Sequence, residues 1–148
     1  MLPDEKLQIR QKQKARKLAL QAIYQWSMTG HDSIEIEAQF HQTNSMEKVD
    51  TAYFSRLLRA IPEHCAALDI LLEPFLDRPI TTLTPIELAI LRLGAYELAH
   101  CPEIPYRIVL DEWVSLTKQF GTVEGHRYVN GVLNNLADKL RTIERRAE

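Results

Sequence analysis

Apolar residues recur along this chain at helical spacing almost from end to end. In the first segment Ala15, Leu18, Ala19, Ala22, Ile23 and Trp26 fall on one side of a helix, and Gly30 marks its end. A short helix over about 33–43 carries Ile34, Ala38 and Phe40, with Ser33 as its cap. A third starts near Asp50, a natural N-cap, and places Tyr53, Phe54, Leu57, Leu58 and Ile61 on one stripe. Pro62 lacks the amide donor and crowds the preceding turn, so a kink or break is expected there before Cys65, Leu68, Leu71 and Leu72 resume the spacing.

Pro74 and Pro79 bracket a connector, and Thr84-Pro85-Ile86-Glu87 follows as a capping box. The run behind it, LAILRLGAYELA, is apolar nearly all round, as a helix with neighbours on most sides must be. Pro102 and Pro105 separate it from a stripe of Val109, Trp113, Leu116 and Phe120, which Gly121 stops as a left-handed cap. The last stripe is Val129, Val132, Leu133, Leu136 and Leu140, with Gly131 permitting close helix approach. The spacing predicts an all-α domain of about six or seven helices over residues 11–140. Residues 1–10 are expected as a flexible basic arm and 141–148 as a frayed charged tail.

Composition narrows the class. The 148 residues are 45% hydrophobic and 26% charged, and five glycines are too few for a turn-rich β architecture. No apolar run approaches the roughly 18 residues of a membrane span. The N-terminus lacks the features of a secretory signal, so a cytoplasmic protein is expected. Cys65 and Cys101 lie far apart and suit reduced thiols better than a disulfide framework.

Charge is distributed unevenly. The first 17 residues hold six bases and two acids, a net +4, whereas the remainder holds 12 bases and 18 acids, a net −6. Six bases lie between Lys6 and Lys17 without an intervening acid. At about 100° per residue, Lys6, Arg10, Lys14, Lys17, Gln21 and Tyr24 fall opposite the apolar stripe. Such a face suits phosphate contact and base stacking, or it is a solvated face that serves solubility. Bases at a helix N-terminus oppose the macrodipole, so helix stability is not their purpose.

Other candidates are weaker. His126-Arg127-Tyr128 opens the last helix and could hold a phosphate and stack a base, or form a surface turn. His64-Cys65 and His100-Cys101 offer metal-ligand types, but adjacent helical residues diverge by about 100°, and no metal site is expected. Arg92 and Glu97 interrupt the most apolar helix and require internal partners, unless one edge of that helix faces another protein. No phosphate loop, nucleophile elbow or dinucleotide fingerprint occurs, and neither an enzyme nor a cofactor is expected.

Four segments in order, KARKLALQAIYQW, ILRLGAYEL, IPYRIVLDEWVSLTKQFG and HRYVNGVLNNLA, resemble the NusB family of bacterial transcription antitermination factors. The likeness runs from about Lys14 to Ala137, and the Y-V-N-G-V-L core is its most specific part. It implies two helical subdomains sharing a long central helix and a non-enzymatic role. The implied partners are NusE, single-stranded boxA RNA, and, through the complex, other Nus factors and RNA polymerase. By position it implies RNA contacts at Lys12, Lys14, Arg16, Glu124, Arg127 and Tyr128, and a NusE-facing surface at Tyr24, Glu87 and Arg92. Two departures stand out: the family's arginine-rich start is mostly Lys and Gln here, and Tyr128 replaces the usual phenylalanine. Alternatives are a chorismate mutase-like helical enzyme, which would need the first-helix bases to line a cavity, and a module like the NusB-like domain of RNA methyltransferases. A DNA-binding helical protein is a further alternative and would prefer duplex DNA.

Overall fold

The computed structural model describes residues 2–121 and 123–148. Among the described residues there are seven α-helices, two 3-10 turns and no strand. The helices are α1 (Pro3–Thr29), α2 (Ser33–Thr43), α3 (Thr51–Leu72), α4 (Pro85–His100), α5 (Tyr106–Phe120), α6 (Val123–Leu140) and α7 (Thr142–Arg146). They form two units, Met1–Glu63 and His64–Glu148, with the boundary inside α3, so that one long helix serves both.

In the first unit α1 begins at Pro3, so the arm expected over 1–10 is helical from that residue. Proline suits the first helical position, and Asp4 and Glu5 in the first turn complement the macrodipole. Gly30 closes the helix in the left-handed region (φ 69°), donating its N–H to the Trp26 carbonyl at 2.9 Å. Ala15, Ala19, Leu20, Ala22 and Ile23 are completely buried, whereas Leu18 and Trp26 are half-buried. The cap of α2 is Asp32 and not Ser33: its carboxylate accepts the Ile34 N–H at 2.9 Å, which leaves Ser33 as the first helical residue. Asp50 caps α3 as expected, accepting the Tyr53 N–H at 3.0 Å, and its own N–H donates to Gln11 at 3.1 Å, tying that cap to α1. Phe40 and Phe54 pack with ring centroids 5.9 Å apart.

Pro62 does not break α3, which runs from Thr51 to Leu72. The lost amide bond is outweighed by burial: Leu57, Leu58, Ile61, Leu68 and Leu72 are all fully enclosed, each worth about 1.5–3 kcal/mol.

The second unit is built around α4, which packs on α5 and α6. The predicted Thr84 cap forms, its hydroxyl accepting the Glu87 N–H at 3.2 Å, and the Glu87 carboxylate reaches back to accept from that hydroxyl at 2.9 Å. Gly94 is where helices approach closely: a Cβ there would lie 2.7 Å from a Leu133 methyl. Gly131, expected in that role, is exposed and a Cβ on it would meet nothing within 4 Å. Gly121 is extended (φ −117°) rather than left-handed, and its use reflects crowding, since a Cβ would sit 2.9 Å from the Thr117 carbonyl.

Charges inside the second unit are paired. The Trp113 indole donates to the buried Glu97 carboxylate at 2.7 Å, and Arg92 forms two parallel bonds to Asp69 at 2.8 and 2.9 Å. Arg141 is 8% exposed and donates to the carbonyls of Glu97, Leu98, Cys101 and Ile104 and to Glu144. One guanidinium thereby ties together carbonyls from the last turn of α4 and from the turn that follows it. The segment expected as a frayed tail contains α7, and Glu144 accepts the Tyr106 N–H at 2.8 Å.

Candidate nucleic-acid interface

Two groups of candidate residues lie in different units. In the first unit, the buried side of α1 fixes the direction in which its bases project. Lys14 is exposed and Lys12 half-buried, the Lys12 ammonium lying 4.7 Å from the centre of the Tyr53 ring. Arg16 also faces Tyr53, with its guanidinium 5.7 Å from the ring centre, but it is only 2% exposed. Its guanidinium packs against α3, and the accessible positive charge of this stretch lies on the exposed Lys6, Arg10 and Lys14 and the half-buried Lys12 and Lys17. Beside Lys14 is a notch of about 190 Å³ lined by Lys14, Lys17, Leu18, Asn44, Ser45 and Val49. Cations above an apolar floor, with an amide and a hydroxyl at the edge, can accept a phosphate and cover a base. Lys12 borders a second, larger open groove of about 750 Å³, together with Glu5, Gln8, Ile9, Val49 and Asp50.

In the second unit, Glu124 and Arg127 are exposed on the first turns of α6, and Tyr128 is half-buried. Two polar atoms next to them are enclosed without a hydrogen-bond partner among the described residues, the Tyr128 hydroxyl and His126 Nδ1. Burial pushes the Tyr128 phenol above its ordinary range. Sequence reasoning missed a residue here: the Arg78 guanidinium lies 4.6 Å from the centre of the Tyr128 ring. Arg78 in turn donates to both oxygens of Asp77, at 2.7 and 3.2 Å, and that bonding holds the Asp77 carboxyl below its usual range. The only signal in the sequence was a charged Asp-Arg pair inside a proline-bracketed connector, where polarity is ordinary.

The residues expected to face a protein partner differ in availability. Tyr24 is 37% exposed on α1, and Met28, one turn on, is 57% exposed, so an aromatic and a thioether stand on one face. Glu87 and Arg92 are half-buried and already bonded, to Thr84 and Asp69 respectively.

No group of three His, Cys, Asp or Glu side chains suited to a metal occurs among the described residues. His64 and His100 lie with ring centres 5.0 Å apart, and both cysteines are free thiols. No helix of the described residues is long and apolar enough to cross a membrane.

Comparison with known proteins places these features in context. The NusB family profile matches residues 13–138. The chain is 62% identical over 140 residues to the transcription antitermination protein NusB of Legionella pneumophila (strain Corby), covering 95% of each. It is 50% identical over 134 residues to that of Nitrosococcus oceani, covering 90% of each. Among solved structures it is similar to a chain in the crystal structure of antitermination factors NusB and NusE in complex with double-stranded RNA. There the TM-score is 0.78 at 26% identity, covering 86% of this chain and 96% of the other. NusB from T. maritima shares the fold, with a TM-score of 0.78 at 24% identity and coverage of 90% and 96%.

Proposed function

The chain belongs to the NusB family, and we propose that it is a cytoplasmic, non-catalytic antitermination factor that binds boxA RNA together with NusE. The observation that carries this reading is the display of Lys12 and Lys14 on a helix whose opposite side is locked into the core. Lys12 and Lys14 hold phosphates, Arg16 sets the helix against Tyr53, and Glu124, Arg127 and Tyr128 form a second contact with the RNA. Tyr24 with Met28 is the accessible part of the NusE surface, and Glu87 and Arg92 shape it while keeping their internal bonds. Through NusE-bound RNA the protein joins other Nus factors on RNA polymerase.

The ligand is single-stranded in this reading, because only unpaired bases offer both their edges and their faces. Support for RNA and NusE as partners comes from the similar chain seen with NusE and double-stranded RNA. Titration of the protein, with and without NusE, against single-stranded boxA RNA, a scrambled strand and a boxA duplex should rank the first tightest, most clearly with NusE present. Equal affinity for boxA and scrambled strands in the presence of NusE would overturn sequence-specific recognition, and preference for the duplex would overturn the single-stranded ligand.

A further inference from the structure

We propose that Arg78, and not the Tyr128 ring itself, is the surface on which an RNA base stacks, with Tyr128 as its backing and Asp77 as its clamp. The inference rests on the RNA-binding reading above and assigns one contact within it.

The three side chains form a layered unit on the second unit's surface. Tyr128 projects from α6 with its hydroxyl end enclosed, so the ring is fixed at its far edge. The Arg78 guanidinium covers the ring at 4.6 Å, within the range of cation–π contact. A base approaching from that side meets Arg78 before it meets Tyr128. Asp77 takes the Nε and Nη2 donors of Arg78, which fixes the guanidinium through two bonds from the neighbouring residue. Arg78 nonetheless keeps 48% of its side chain exposed.

The chemistry selects a base over a phosphate. Two of the donor-bearing nitrogens are spent on Asp77, and the carboxylate neutralises the charge that a phosphate would seek. Glu87 adds a second negative charge close enough to act on Arg78. What the arrangement leaves available is a flat, weakly hydrated cationic face, and guanidinium planes stack on bases. A lysine at this position would supply the charge without the plane.

The test uses the full chain with NusE and boxA RNA carrying 2-aminopurine at each adenine in turn. One position in the wild-type complex should be quenched by stacking. Arg78→Lys should abolish that quench and weaken binding about tenfold, as expected for one lost stack, while leaving the salt dependence unchanged. Tyr128→Leu should reduce the same quench by removing the backing. Asp77→Asn should reduce it by loosening the clamp. Circular dichroism and NusE binding of each variant report folding independently of RNA. Wild-type binding to boxA with an Arg78→Lys quench and affinity equal to wild type would overturn the platform alone. Failure of the wild-type complex to prefer boxA would overturn the functional reading and the platform with it.

Discussion

At single positions, burial decides between roles that spacing leaves equivalent. Lys12, Lys14 and Arg16 stand in one basic run, yet Arg16 is enclosed against Tyr53 while Lys14 is exposed. The long guanidinium stem lets a charged residue pack where an alanine stripe leaves room, an outcome periodicity does not register. Tyr128 gives the sharper case. Its hydroxyl is buried without a well-formed hydrogen bond, although Asp77 is close enough to act on it, and an unmade bond of this kind costs about 1–3 kcal/mol. Tyr128→Phe removes that hydroxyl and keeps the ring beneath Arg78. Its unfolding free energy from urea denaturation should therefore match or exceed wild type, by up to about 1 kcal/mol, with RNA affinity retained. A loss of stability beyond about 1 kcal/mol would show that the hydroxyl is satisfied in solution, with the Asp77 carboxylate, which already acts on it, as the acceptor.

At the level of helices, the elements themselves were legible because hydrophobic period and cap chemistry agree. Thr84-Pro85-Ile86-Glu87 announces α4, and Asp50 announces α3. What stayed hidden depends on neighbours remote in sequence. Pro62 looks like a stop until the buried residues on both sides of it are counted. Arg141 looks like part of a charged tail until the carbonyls of Glu97, Leu98, Cys101 and Ile104 surround it. In the candidate site, the bases of α1 were visible as a run, whereas Arg78 was not, because its meaning comes from a ring fifty residues later. Glycines divide the same way. Gly94 and Gly131 both lie inside helices, but only Gly94 faces another helix at close range. Gly94→Ala should destabilise by about 1–3 kcal/mol through its clash with Leu133. Gly131→Ala should stabilise by about 0.5–1 kcal/mol through restricted backbone freedom and better helix propensity. Paired denaturation curves read both, and a shared sign would refute the assignment of the close approach.

For the whole chain, the balance of charge determines how RNA binding should respond to salt. A net −2 overall combines a +4 start with a −6 remainder, so the protein as a whole repels a polyanion while one stretch attracts it. Binding then depends on few contacts, and each is separately measurable. Every phosphate neutralised on a single strand contributes about 0.7 to the slope of log affinity against log salt. Replacing Lys12 and Lys14 together with alanine should lower that slope by about 1.4 and weaken binding most at low salt. Arg16→Ala should instead lower thermal stability, because it removes packing against Tyr53 and not an exposed charge. Fluorescence anisotropy between 50 and 200 mM salt, about the range over which such contacts are screened, separates the two. An unchanged slope in the double lysine variant would place the phosphate contacts elsewhere on the chain. A slope lowered by about 0.7 with Arg16→Ala in a stably folded protein would return that residue to the RNA.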